Sequence, residues 1–212
     1  MTVNKDTLSG KVLIAGYGSL LSQDSRQRFS GIHAPTVGVK VHNWSRGWVT
    51  RAFHENQTYV GAIPKRGAWL NAQLVPTKID PALEKREQDY RFSRVDINDI
   101  DIDDSHLFLN DVTNVREIIR NTPIYICETL ESNLATETYK VSFSYIATCL
   151  IGCYEKQGNK GIDDFMRSTF GLSESVFDMD VEKPKYPRAA SIPSDMTKHF
   201  LEAISQHFRK TK

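Results

Sequence analysis

The sequence predicts an α+β fold in which a mixed, barrel-like β-sheet carries helices and a helical C-terminal extension. Three observations lead there. An apolar run at 12–17 ends in a glycine turn, β-branched and aromatic segments recur at hairpin spacing between residues 36 and 77, and the pattern turns helical after Thr138. A 212-residue chain with 40% hydrophobic and 25% charged residues is long enough to bury one core. A single domain over 1–212 is therefore expected, with its core at about 11–130 and the extension at about 140–212.

Residues 12–17 read as a strand buried on both faces, because a short apolar run closed by Gly and Ser is what a mid-sheet strand requires. Ser22 is a candidate N-cap for a short helix over 26–29. Segments 37–41, 48–53, 59–63 and 69–75 read as an antiparallel meander, with turn material at 54–57 and at Pro64-Lys65-Arg66-Gly67. Asp80 before Pro81 is a good N-cap and first-turn pair, and the helix formers that follow predict a helix of about ten residues over 79–88. Val95, Ile97 and 124–127 look like returning strands, and the acidic segment 98–105 like an excursion loop. Further on, Tyr145, Thr148, Cys149, Gly152 and Cys153 recur at helical spacing. Residues 162–170 and 196–208 continue it, the last burying Phe200, Leu201, Ile204 and Phe208.

Lys and Arg number 27 against 26 acidic residues, so nothing in the bulk charge selects nucleic acid or an anionic membrane as partner. The N-terminus has no basic stretch followed by an apolar segment, and the longest apolar stretch, 145–154, is too short and polar to span a bilayer. A cytoplasmic location is expected. Cys127, Cys149 and Cys153 are an odd number, which argues against a disulfide framework. Two thiols four residues apart without a nearby His make a poor metal site, so buried apolar roles are expected.

The stretch "AGYGSLL" at 15–21 admits several chemistries. A phosphate loop needs a Lys and further glycines that are missing, and a dinucleotide fingerprint would need Gly or Ala where Leu21 stands. A nucleophile turn would need a Gly two residues after Ser19, and His33, His42 and His54 show no recognisable partner for a base role. What remains is a strand-to-helix turn, which either binds nothing or offers backbone N–H groups to a carboxylate or developing oxyanion.

Residues 79–95, "IDPALEKREQDYRFSRV", supply a second constellation. Ile79, Leu83 and Tyr90 share one helical face; Glu87 borders it, and Arg86 borders it equally well, so periodicity does not choose between them. Tyr17-Gly18-Ser19-Leu20, together with Leu83-Glu84-Lys85-Arg86-Glu87 and the following Tyr90, Arg94 and Val95, resembles the gamma-glutamylcyclotransferase-like superfamily over about 11–130. "SFSYIATCLIGC" and "KPKYPRA" look like the C-terminal part of its bacterial subgroups.

The resemblance implies that Glu87 is the general acid/base. It implies that a gamma-glutamyl amide is cleaved when its own α-amine attacks the γ-carbonyl, giving 5-oxoproline and a free amine or amino acid. Neither metal nor cofactor is implied, and the partner is a small gamma-glutamyl substrate. Backbone N–H groups of Gly18, Ser19 and Leu20 are candidates to hold the glutamyl part beside Tyr17. Tyr90, Tyr145 and Arg188 are candidates to meet a substrate carboxylate, with core packing for the tyrosines and a solvated surface for Arg188 as the plainer alternatives. The chain departs from the family pattern at Glu84, where Asp is usual, and at Gln88 and Asp89, where a Gly is common. It also has Ala72 at about the place of a Gly, from which a tighter pocket is expected. Selectivity for the leaving group is expected in loops over 98–121. A binding or regulatory module with the same pocket and no turnover is the alternative.

Overall fold

The computed structural model describes residues 10–102 and 109–210. Strand β1 (Val12–Gly16) buries Leu13, Ile14 and Ala15 completely or nearly so. After a 3-10 turn at Ser19–Leu21 comes helix α1 (Gln23–Ser30), capped as expected by Ser22, whose hydroxyl accepts from the Ser25 N–H at 3.2 Å.

The expected four-stranded meander is instead one long hairpin, β2 (Val37–Ala52) and β3 (Gln57–Thr77). Only the turn near His54 exists. At the second site the ladder passes from the Trp44–Pro64 pair to the His42–Trp69 pair, so residues 65–68 lie opposite Asn43 alone. This is a bulge, built by Asn43 and Gly67 at φ 61° and 78° and fastened where the Gly67 N–H donates to Asn43 Oδ1 at 3.1 Å. Turn residues and bulge residues share a composition because both need positive φ, so local sequence could not separate them.

Helix α2 (Pro81–Arg86) is shorter than the ten residues expected; Asp80 caps it by accepting from the Leu83 N–H at 2.9 Å. The next strand, β4 (Tyr90–Arg94), lies earlier than Val95, and Ile97 belongs to a 3-10 turn at Ile97–Asp99. Segment 98–105 is not simply a loop, since β5 (Ile100–Ile102) pairs with β2; residues 103–105 lie outside the described residues. Helix α3 (Leu109–Arg120) and β6 (Ile124–Thr129) follow.

The main sheet is mixed and runs β4-β6-β1-β3-β2-β5, with β1 between an antiparallel β3 and a parallel β6. Because β3 is long and bent, its first half returns to β6 at Ala62–Glu128. The sheet therefore curls toward a barrel without closing into one.

Past β7 (Val141–Ser142), helix α4 (Phe143–Ser168) packs on β3 and the 3-10 turn, kinked at Gly158. Strand β8 (Thr169–Phe170) then joins β2 in parallel, and β9 (Phe177–Asp178) pairs with β7. Helix α5 (Ser194–Lys210) packs on α4, with Phe200 and Ile204 buried and Leu201 and Phe208 half-buried. All three cysteines are buried thiols. Among the described residues no helix is long and apolar enough to cross a membrane.

Candidate active site

A cleft of about 240 Å³ opens where β1 ends, and every residue expected to act on or hold a substrate lines it: Tyr17, Gly18, Ser19, Leu20, Glu87, Tyr90, Tyr145 and Arg188. They come from the turn after β1, the corner after α2, β4, the start of α4 and the strap after β9. Ala72 does not line it, so it sets no pocket width, and none of the described residues in 98–121 does either. The rim is formed instead by Phe53, His54 and Glu55 at the hairpin turn and by Lys85, Gln88 and Asp89. His42 is remote from the cleft and bound to Asp101 at 2.6 Å.

Two buried arginines fix the glycine loop from behind. Arg26 Nη1 donates to the Leu20 and Leu21 carbonyls at 2.5 and 2.7 Å, and Arg46 Nη1 to the Tyr17 carbonyl at 3.0 Å. Across a trans peptide the Tyr17 carbonyl and the Gly18 N–H point in opposite directions. Anchoring the carbonyl on Arg46 thus turns the Gly18 N–H away from the core. The Gly18, Ser19 and Leu20 N–H groups have no acceptor among the described residues. Gln73 supports the same turn, its Nε2 donating to the Leu21 carbonyl at 2.9 Å.

Gly18 is required by a close approach. A Cβ there would lie 2.8 Å from the Tyr145 hydroxyl and 3.0 Å from Val60 Cγ2. Overpacking of this kind costs about 1–3 kcal/mol, so Gly18→Ala is expected to lower thermal stability by that amount. Adding Tyr145→Phe should restore a large part of it, because the oxygen in the way is gone; calorimetric unfolding of the single and double variants checks this.

Glu87 sits at the corner between α2 and β4. Its N–H closes the last helical turn on the Leu83 carbonyl and its carbonyl accepts from the Tyr90 N–H, both at 2.9 Å, so the backbone is pinned on each side. The side chain is only 13% exposed, and Oε1 accepts from Arg86 Nε at 3.1 Å. Burial pushes its carboxyl above the usual range; the Arg86 and Arg188 guanidiniums pull it down, and Asp89 adds to the rise. A carboxyl raised in this way, in a cleft, has the chemistry to exchange a proton with a bound ligand.

The phenols differ in their freedom. Tyr17 donates to the Cys127 carbonyl and accepts from the Ala62 N–H at 3.0 Å, so it clamps the curl of the sheet between β6 and β3. Tyr90 donates to the Val60 carbonyl at 2.9 Å. Tyr145 packs against Tyr59 and Tyr186, with ring centroids 4.5 and 4.7 Å away, as one aromatic wall. Arg188 lies over the Tyr186 ring and donates to its hydroxyl through Nε at 3.2 Å. Its strap is tied down where the Tyr186 N–H donates to Ser144 Oγ at 3.0 Å and the Ala190 N–H to Thr148 Oγ1 at 2.9 Å. Arg188 is thus half-buried in the cleft rather than solvated on the surface.

By sequence, no family model and no curated protein matches the chain. Its backbone superposes on the crystal structure of YkqA from Bacillus subtilis with a TM-score of 0.51 and 13% identity, over 74% of this chain and 53% of that one. The chain carries the gamma-glutamylcyclotransferase-like fold. It spans about half the length of YkqA. A gamma-glutamyl cyclotransferase superposes with a TM-score of 0.46 and 9% identity, over 91% of this chain and 99% of its own. A yeast gamma-glutamyl cyclotransferase specific to glutathione gives 0.42 and 11%, over 93% and 97%. On the gamma-glutamylcyclotransferase-like fold, four parts of the site escaped sequence reasoning: Tyr59, Tyr186, and the supporting Arg26 and Arg46. Only Tyr186 left a local signal, two residues before Arg188 in "KPKYPRA".

Proposed function

We propose that this chain cyclises a gamma-glutamyl amide to 5-oxoproline with release of an amine or amino acid, using Glu87 as the proton shuttle. The reading is carried by one observation: the largely buried Glu87 carboxyl shares a single cleft with the unpaired N–H groups of the Gly18–Leu20 loop and the Arg188 guanidinium. The substrate α-carboxylate is assigned to Arg188, whose Nη groups have no acceptor among the described residues. The loop N–H groups are assigned to the glutamyl oxygen that becomes anionic.

Glu87 takes a proton from the α-ammonium, and the freed amine attacks the γ-carbonyl carbon. A five-membered ring closes through a tetrahedral oxyanion. The scissile C–N bond then breaks as Glu87 gives that proton to the leaving nitrogen, and the regenerated carboxylate takes the surplus proton from the ring nitrogen and passes it to the departing amine, which leaves as an ammonium. Attack within one bound molecule needs no protein nucleophile, only a folded pose, which is where the aromatic wall of Tyr59, Tyr145 and Tyr186 acts.

The test is incubation with gamma-glutamyl amino acids, glutathione and gamma-glutamylamines, followed by mass spectrometry. 5-Oxoproline is the expected product. Saturable binding without product would make the chain a binding module, and a released amine without a cyclic product would mean hydrolysis instead.

A further inference from the structure

We infer that Arg86 is a positioning residue that joins the Glu87 carboxylate to the glycine loop through one guanidinium fork. Its consequence for turnover rests on the proposed cyclisation; its geometry does not. Nε donates to Glu87 Oε1 at 3.1 Å, Nη2 to Ser19 Oγ at 2.9 Å and Nη1 to Ser30 Oγ. The side chain is 8% exposed, so these bonds form largely out of water. Ser30 ends α1, Ser19 opens the 3-10 turn and Glu87 closes α2. The corner at 86–87 is thus held against two points of the 19–30 stretch by a planar group whose donors have fixed directions, which an ammonium could not reproduce.

The chemistry explains why a cation stands beside the acid/base. A carboxyl in a largely dry cleft tends to be protonated, yet it must begin as a carboxylate to accept the α-ammonium proton. Arg86 favours the charged form and occupies Oε1, leaving Oε2, which has no donor among the described residues, for the substrate. The other groups that act electrostatically with Glu87 are Arg188 on the strap, Asp89 in the adjoining turn, Tyr17 just after β1, and Tyr90 and Cys127 on β4 and β6. Burial pushes those two phenols and the thiol well up, so they stay neutral where the enzyme works. Arg86 and Arg188 are then the opposing cations, and loss of Arg86 moves protonation of Glu87 to higher pH.

The experiment is a carbon-13 NMR titration of the Glu87 carboxyl, assigned by its disappearance in Glu87→Gln, run beside the pH profile of 5-oxoproline formation. In Arg86→Gln the midpoint is expected to rise by about one to three pH units, the range for losing an adjacent opposite charge. The acid limb of kcat/KM should rise with it, because activity requires the carboxylate. Arg86→Lys should bring the midpoint back toward wild type while restoring only part of kcat. Ser30→Ala, which loosens the fork outside the cleft, should give a smaller rise in the same direction. A folded Arg86→Gln protein with a wild-type midpoint overturns the inference, and if that variant does not fold, an unshifted Ser30→Ala does so. A shifted midpoint in a protein that makes no 5-oxoproline would instead remove the cyclisation and leave the positioning role standing.

Discussion

Glu87→Gln is expected to lower 5-oxoproline formation by about 10²- to 10⁴-fold, the range that positioned acid/base groups contribute. The substitution keeps the shape of the side chain, and an amide oxygen can still accept from Arg86 Nε, so the corner between α2 and β4 should be undisturbed. Thermal unfolding should therefore stay close to wild type, as should affinity for a non-cleavable gamma-glutamyl analogue. The separation is what makes the test sharp. A drop in rate without a drop in stability or binding isolates the proton transfer, because an amide cannot take the α-ammonium proton. A variant that retained activity within a few-fold of wild type would end the role assigned to Glu87.

How far the sequence led can be judged from the two halves of this cleft. Tyr17 to Leu20 were legible as a strand-ending turn, whereas Glu87 was singled out by the family resemblance alone, since periodicity left it level with Arg86. Arg188 and Tyr145 were legible only as residue types, since their entry into the cleft depends on how the strap is tied to α4 through Ser144 and Thr148. The hairpin was misread for a physical reason: at 64–67 the residues that favour a turn are also those that a bulge opposite Asn43 requires. Helix α2 was overestimated because the helix formers continue to Gln88, while the pairing of β4 with β6 takes the chain at Tyr90. Alternation alone does not report exposure. Asn71 and Gln73 in β3 have the spacing of a solvent-facing strand side, yet both are almost completely buried under α4, where they bond to Gly161, Cys153, Leu21 and Gly152. A period of two reports that the faces differ, not that one of them is wet.

The same burial sets the second large effect, expected from Arg46→Met. Arg46 has no exposed surface and no ion-pair partner among the described residues; its charge is met by neutral groups. Nε donates to Thr169 Oγ1 at 2.7 Å, Nη1 to the Tyr17 and Asn71 carbonyls at 3.0 Å, and Nη2 to Asn71 Oδ1, Ser168 Oγ and the Phe165 carbonyl at 2.7, 2.8 and 3.2 Å. The guanidinium also lies 3.8 Å from the centre of the Phe165 ring. Burial lowers its pKa to about 10, so the group is still protonated at neutral pH. Methionine fills a similar length but donates nothing, which leaves these acceptors buried and unpaired at about 1–3 kcal/mol for each that finds no substitute. Even two or three such losses approach the roughly 5–15 kcal/mol by which domains are stable. The melting temperature should fall by about 10 °C or more, at the 2–4 °C per kcal/mol typical of chains of this length, or the protein should not fold. Arg46→Lys keeps the charge but has fewer donors without the fork, so it should lie between the two. Calorimetric unfolding of both variants decides the matter, and a Met variant within about 2 °C of wild type would refute it. Because Arg46 holds the Tyr17 carbonyl, the Lys variant should also bind a gamma-glutamyl analogue more weakly, through a loop whose Gly18 N–H is no longer aimed.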